Sequence, residues 1–308
     1  MSSIGLVSIC IPAYNSADTV TTAVRSALEQ DYGNIEVVVT DDASTDGTAD
    51  LLRAFGDRIR LSRNRRRLGQ NHTANASISG SSGEFVKFLH DDDRLEPHCV
   101  SRMVDALAEH PSAGMVFSPR RIELHHGSPE ERVWLAEQSK PREFRALNPG
   151  SQLFEEMLAG GFKENWIGEP VCVMVRRGCL SQLGGFHNYV RQTIDLDLWA
   201  RIAAHYDLAY VDEELAVYRH SEDSLGAFNR KNRLGWVDPL WTLEALATFP
   251  GLLSRYPIRE RLRRERRIVE RSVAKHFVLP GYRAPSTRAW WAYAAWRLLR
   301  GRLVGEVS

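Results

Sequence analysis

Cysteine is scarce in this chain. Only Cys10, Cys99, Cys172 and Cys179 occur in 308 residues, and no two of them form a C-x-x-C pair. That spacing offers neither a thiolate zinc site nor a dithiol redox motif. Cys10 and Cys172 lie inside apolar runs and read as small buried thiols of a reducing compartment. No apolar run approaches the roughly 18 residues that a membrane-crossing helix needs. The N-terminus lacks a basic patch before an apolar stretch, so no secretory leader is expected and the chain is placed in the cytoplasm. Charge of one sign is lacking too. Lys and Arg number 40 against 39 Asp and Glu, a formal net charge of +1, which gives no electrostatic footprint for nucleic acid. A G-x-G-x-x-G fingerprint, a Walker lysine and an internal repeat are all missing.

What is present is a regular alternation of short apolar runs and helical patterns. Leu6 to Ile11 reads as a buried strand stopped by Pro12. Ser16 or Asp18 is placed to cap a helix with Val20, Ala23, Val24, Ala27 and Leu28 on its apolar face. Ile35 to Val39, Ile59 to Leu61, Phe85 to Leu89 and Met115 to Phe117 read as further strands. The intervening helices include one after Asp46, with Leu51, Leu52 and Phe55 facing inward, and one opened by Pro97. From Arg120 to Gly150 the pattern weakens into an irregular insertion. Strand and helix signals then resume through Val171 to Val175, Asp195 to His205, Leu208 to Val211 and Leu215 to Tyr218. The fold class is therefore α/β, a mainly parallel central sheet flanked by helices, with a helical appendage after about residue 225. Such sheets bind ligands beyond the carboxyl ends of their strands. The polar clusters Tyr14-Asn15, Asp41-Asp42 and Asp91-Asp92-Asp93 fall there.

Three adjacent carboxylates repel one another unless a cation or protons relieve them. Mg²⁺ or Mn²⁺ would do so and would also bridge to phosphates. In an extended segment Asp91 and Asp93 would face one side and Asp92 the other. A solvated turn preceding the Pro97 helix accounts for the same residues, and spacing alone leaves both readings open. Asp41 to Thr48 leaves a strand and enters a helix. One of its carboxylates is suited to a nucleobase edge or a ribose, while Asp46 and Gly47 read as cap and turn residues.

Val7 to Asn15, Asp41 to Thr48 and the strand ending in Asp91-Asp92-Asp93, in that order and at those spacings, resemble the family 2 glycosyltransferases of GT-A fold. The resemblance covers roughly residues 4 to 225. It implies an inverting, nucleotide-sugar-dependent enzyme whose Rossmann-like half, residues 1–118, holds the donor and whose residues 119–225 hold the acceptor, with residues 226–308 as a helical extension. Carried onto this sequence, it implies that Pro12, Ala13, Tyr14 and Asn15 line the nucleoside pocket. Asp42 would bond the base, with Asp41 nearby. Asp92 is the first-choice metal ligand, with Asp91 and Asp93 in support, and Asp91 also faces the nucleotide. His90 stands where the family's first aspartate usually stands. Asp195-Leu196-Asp197-Leu198-Trp199-Ala200-Arg201 resembles the family's base-bearing helix and makes Asp195 the general base. Without the resemblance, helix-terminus stabilisation is the favoured reading of Asp195. Asp197 and Arg201 read as a supporting i,i+4 pair.

Weaker candidates are His220, which reads as a phosphate contact or as a surface histidine, Gly185 in a turn bordering the acceptor, and Trp166 and Glu169. The implied partners are a nucleotide-sugar donor, with UDP expected and dTDP or GDP open, and a saccharide, lipid-linked or other hydroxyl acceptor. The implied setting is cell-surface polysaccharide or glycoconjugate synthesis. The basic stretch Arg255 to Lys275 reads as a solvated helix face, and the aromatics Trp290, Trp291, Tyr293 and Trp296 as packing of the tail against the catalytic domain or a partner chain of a homodimer, with a peripheral membrane contact as the alternative for both. A nucleotidyltransferase and a non-catalytic nucleotide-sugar-binding protein are the alternative functions.

Overall fold

A computed structural model describes residues 5–125, 142–162, 164–221, 224–231 and 234–278. The aromatic cluster from Trp290 to Trp296 lies outside the described residues. The strands are β1 (Val7–Ala13), β2 (Ile35–Asp41), β3 (Arg60–Arg63), β4 (Phe85–Phe88), β5 (Arg94–Leu95), β6 (Ala113–Phe117), β7 (Arg120–His125), β8 (Leu147–Asn148), β9 (Val173–Arg176), β10 (Asp207–Tyr210) and β11 (Ala216–Ser221). The helices used below are α1 (Val20–Leu28), α2 (Thr48–Arg53), α3 (Gln70–Ser79), α4 (Cys99–Glu109), α5 (Gly150–Gly160), α6 (Arg177–Leu183), α7 (Ile194–Ala203), α8 (Leu225–Lys231), α9 (Asp238–Leu246), α10 (Pro250–Arg255) and α11 (Ile258–Val278).

The main sheet runs β3-β2-β1-β4-β9-β6-β10-β8, and a small sheet runs β5-β11-β7. β1, β2, β3 and β4 pair in parallel, as do β6 and β10. β9 enters antiparallel between β4 and β6. The inner strands are Val- and Ile-rich and buried on both faces, as a sheet covered by helices on two sides requires. The edge strand β3 instead carries Arg60, Ser62 and Arg63, charges that guard its unpaired side.

Several local expectations change. Pro12 does not stop β1, because β4 pairs with β1 only from Val7 to Cys10, so the flank toward β4 needs no N–H at Pro12. On the other flank Pro12 stays in register with Thr40. Neither Ser16 nor Asp18 caps α1 through its side chain. The Ser16 carbonyl accepts the Thr19 and Val20 N–H groups instead. Leu51 is exposed, and Leu52 alone is the fully buried leucine of α2. The stretch after Arg120 is not wholly irregular, since β7 pairs along its length with β11. Val171 and Cys172 belong to a 3-10 turn ahead of β9.

The C-terminal helices are packed onto the sheet domain. Leu243, Leu246, Leu252, Tyr256 and Ile258 join the main core, while Leu240, Trp241 and Val269 enclose Val190 in a second cluster. The basic helix α11 is not solvated all round. Glu265 is buried and pairs with Arg261 at 2.7 Å. Among the described residues no helix is long and apolar enough to cross a membrane. One close approach fixes how α5 meets the sheet. A Cβ at Gly150 would sit 1.8 Å from the Tyr206 carbonyl oxygen and 2.5 Å from that of Ala203. Both obstacles are backbone. Gly150→Ala should therefore cost about 1–3 kcal/mol of unfolding free energy by overpacking, measurable as a lowered denaturation midpoint.

Candidate active site

The acidic triplet follows β4 at the edge where β1 and β2 also end. It is a tight turn and not an extended segment, since the Asp93 N–H donates to the His90 carbonyl at 3.2 Å. The expected alternation therefore fails. Asp91 separates from its neighbours and accepts the Tyr14 N–H at 2.8 Å. Donor atoms of His90, Asp92 and Asp93 instead lie within 4.8 Å of one another. Asp93 is 2% exposed, and its Oδ1 accepts the Arg219 N–H at 2.8 Å. Its Oδ2 is buried without a hydrogen-bond partner, 3.8 Å from His90 Nδ1.

This crowding shows in the acidities. Burial, then the Asp92 charge, pushes Asp91 up to about 6. The same two causes, in the same order, push Asp93 well above the usual carboxylate range. Burial raises Asp92 also, against the pull of its own N–H and of Arg219. Burial holds the His90 imidazole below its ordinary value. Carboxylates that resist ionising, one with an orphaned oxygen, form a donor set that fits a hard or borderline divalent cation.

The β1 and β2 ends form the adjoining wall. Pro12 and His90 line a narrow crevice with Cys10, Ala74, Phe88, Pro170 and Phe186. Ala13 is buried, and its carbonyl accepts the Asp42 N–H at 2.8 Å. Asn15, at φ 48°, donates its N–H to Ser44 Oγ and accepts the Thr45 N–H on its side-chain oxygen. Tyr14 lies under the Arg67 guanidinium, 4.0 Å from the ring centroid. Asp41 is ion-paired with Arg63 at 3.1 Å and accepts the Ser44 N–H. Asp42 accepts the Leu68 and Gly69 N–H groups and the Asn64 amide, each at 2.8 Å. Burial works to raise Asp42, but these bonds outweigh it and leave its pKa lowered.

Asp195 opens the far wall, in the first turn of α7. Its Oδ2 accepts the Asn165 amide at 2.6 Å and its Oδ1 accepts the Leu196 N–H at 2.8 Å. Asn165 is itself anchored on the Gly168 carbonyl, which also takes the Trp199 indole N–H at 3.1 Å. Burial pushes Asp195 up to about 7, with the Leu196 bond opposing and the Glu169 charge adding to it. Glu169 pairs with Arg120 at 2.8 Å. Its charge helps raise both Asp195 and Asp93. Beneath Asp195, Asp197 and Arg201 are fully buried and paired at 2.8 Å, and His187 Nδ1 lies 2.9 Å from Asp197. Burial would raise Asp197, but Arg201 and then His187 hold it well below the carboxylate range.

The weaker candidates fare unevenly. Trp166 is partly buried with Arg142 over its ring at 4.0 Å. Gly185 gives its carbonyl to Arg201, and a Cβ there would meet Asn75 Oδ1 at 2.3 Å, so it shapes the turn before α7. His220 is not at the surface. It is fully buried in β11, 3.4 Å from the Tyr218 hydroxyl, because β11 turns that face inward.

Sequence reading missed Arg67, Arg120, Asn165 and Asp238. Tyr218-Arg219-His220-Ser221 resembles the family's Tyr-Arg-x-His segment and so marks Arg219, while nothing local marks Asn165. Asp238, fully buried at the start of α9, accepts the N–H groups of Arg191, Gln192 and Thr193 at 3.1, 2.6 and 3.0 Å. It thereby fixes the loop that delivers Asp195. Asp238→Asn keeps one acceptor oxygen and loses the other. We expect a stability loss of about 1–2 kcal/mol and roughly a tenfold fall in turnover with nucleotide affinity unchanged, as measured by chemical denaturation, kinetics and UDP titration. An equal fall in affinity would contradict a positioning role.

With this geometry established, comparison with known proteins is informative. The model of the family "Glycosyl transferase family 2" matches residues 8–166. An uncharacterized protein of Mycobacterium tuberculosis is 36% identical over 249 residues, 76% of this chain and 77% of the relative. The Escherichia coli UDP-Glc:alpha-D-GlcNAc-diphosphoundecaprenol beta-1,3-glucosyltransferase WfaP is 42% identical over 89 residues, 29% of this chain and 36% of that protein. The mannosyltransferase PcManGT of Pyrobaculum calidifontis, solved with GDP-Man and Mn²⁺, superposes with a TM-score of 0.57 at 19% identity over 96% of this chain and 87% of that one.

Proposed function

The chain belongs to glycosyl transferase family 2, and from that premise we propose that it moves a sugar from a UDP-sugar to an acceptor hydroxyl, with Asp195 as general base and inversion at the anomeric carbon. The glycosyltransferase activity and the GT-A fold come with the family. The UDP donor, the acceptor and the residue roles are the proposal. One observation carries it: burial pushes the Asp195 carboxyl up to about 7 while Asn165 and the Leu196 N–H fix its two oxygens. A base poised near neutral pH is what proton removal from a hydroxyl requires.

Asn165 holds one Asp195 oxygen and the Leu196 N–H holds the other, which fixes the carboxylate plane. The acceptor proton passes to Asp195 as the acceptor oxygen attacks the anomeric carbon from the side opposite the leaving diphosphate. One displacement inverts the configuration. Asp92 and Asp93, with His90 beside them, are the residues that would hold a divalent ion, which when bound supplies Lewis-acid stabilisation of the departing diphosphate. The Tyr14 ring and the Asp42 loop would receive the base. The donor and lipid-linked acceptor named for WfaP and the Mn²⁺ of PcManGT support this assignment. A nucleotidyltransferase is set aside by the family.

The test is turnover with a panel of nucleotide sugars and Mn²⁺, with and without lipid-linked and free saccharide acceptors. UDP release with a product of inverted configuration is expected. Tight binding of every donor without turnover would favour the non-catalytic alternative.

A further inference from the structure

We propose that His90 is a direct ligand of the divalent ion and that its imidazole makes this site prefer first-row transition ions over Mg²⁺. The inference rests on the metal reading above and deepens it. His90 stands among oxygen donors where a carboxylate would make the site wholly oxygen. Its Nδ1 lies 3.8 Å from Asp93 Oδ2, and Asp92 completes a set within 4.8 Å. Two donors each about 2.1 Å from one ion are at most roughly 4.2 Å apart, so His90 and Asp93 can share an ion without backbone movement.

The second observation is an unsatisfied buried oxygen. Asp93 Oδ2 is buried, lacks any hydrogen-bond partner and points toward that imidazole nitrogen. A neutral His90 hydrogen bond does not satisfy it at that distance. An ion between the two does.

The far side of the ring supports the same role. His90 Nε2 lies 3.3 Å from Gln70 Nε2. With Nδ1 on the ion, Nε2 carries the proton and needs an acceptor, which the Gln70 amide supplies once it is turned to exchange its nitrogen for its oxygen. A ligating histidine is ordinarily oriented by such a contact. Gln70 opens α3, so the ring is steered by a rigid element. Imidazole suits transition ions, whereas Mg²⁺ prefers a hydrated, all-oxygen shell.

Two readouts independent of turnover test this. Pulsed electron paramagnetic resonance of the UDP-saturated, Mn²⁺-loaded protein should show nitrogen coupling from a coordinated imidazole, absent in His90→Gln. Competition of Mg²⁺ against Mn²⁺, followed by the same signal, should show a Mn²⁺ preference that falls at least tenfold in His90→Asp, a variant that keeps a ligand. Mn²⁺ bound without nitrogen coupling, or a preference unchanged in His90→Asp, overturns the inference while leaving the metal site standing. Failure of the wild-type protein to bind Mn²⁺ with or without UDP overturns the metal reading itself.

Discussion

Asp195→Asn should lose about two to four orders of magnitude in turnover while binding UDP within about twofold of the parent. That is the range a positioned general base contributes. The amide is isosteric, so it keeps one of the Asn165 and Leu196 contacts on its single acceptor oxygen and preserves the side chain's volume. What is lost is the proton acceptor. The parent's own pH profile carries the same signature. Only ionised Asp195 can act, and its pKa is about 7, so kcat/KM should rise through about pH 7 and then level. The stability linkage has the opposite sign. Because the folded pKa is raised above the unfolded value, ionisation disfavours the folded state, and stability from this group falls as pH rises through about 7. Asp195→Asn removes that cost. At pH 8 the variant should be more stable by on the order of 1 kcal/mol, a partly open carboxylate paying less than a fully buried one. Turnover within tenfold of the parent would remove Asp195 from the mechanism.

Asp92→Ala should abolish the effect of Mn²⁺ on donor affinity. In the parent, Mn²⁺ is expected to tighten UDP binding by roughly 10–100-fold or more, the scale on which perturbing metal ligation acts. In the variant, UDP titrations with and without Mn²⁺ should coincide. The same change relieves crowding. Asp92 is the leading electrostatic cause of the raised Asp91 and Asp93 pKa values, after burial, so the metal-free variant should be at least as stable as the parent. A variant that is stable but deaf to Mn²⁺ separates ligand loss from misfolding. Undiminished metal enhancement in Asp92→Ala would reassign the ligand.

The donor half was legible because its chemistry is contiguous. Tyr14-Asn15, Asp41-Asp42 and Asp91-Asp92-Asp93 each sit just past a Val- or Phe-rich strand, and parallel pairing places strand ends together. Asp195 was legible only through the resemblance, since a carboxylate in a helix's first turn has a simple structural explanation. The contacts that complete the site were not legible. Arg219 serves Asp93 through a backbone N–H that any residue owns, 126 positions away. Asn165 and Asp238 act across loops with no periodic signal. The turn from His90 to Asp93 defeated the two-residue alternation, and with it the grouping of the carboxylates. β7 was missed because Ile122 and Leu124 are its only aliphatic residues among charged neighbours, and its pairing with β11 is long-range.

The central claim is that the acidic turn holds a metal ion and a nucleoside diphosphate together. Thermal denaturation of the wild-type chain with a panel of nucleoside diphosphates, each with and without Mn²⁺, tests it most directly. Ligand at about 100 times its Kd adds roughly 2.7 kcal/mol, about 5 °C in a chain of this size. UDP with Mn²⁺ should give that rise, with far smaller rises for UDP alone, Mn²⁺ alone and the other diphosphates with Mn²⁺. Equal stabilisation by UDP with and without Mn²⁺, or none by any diphosphate, would contradict it.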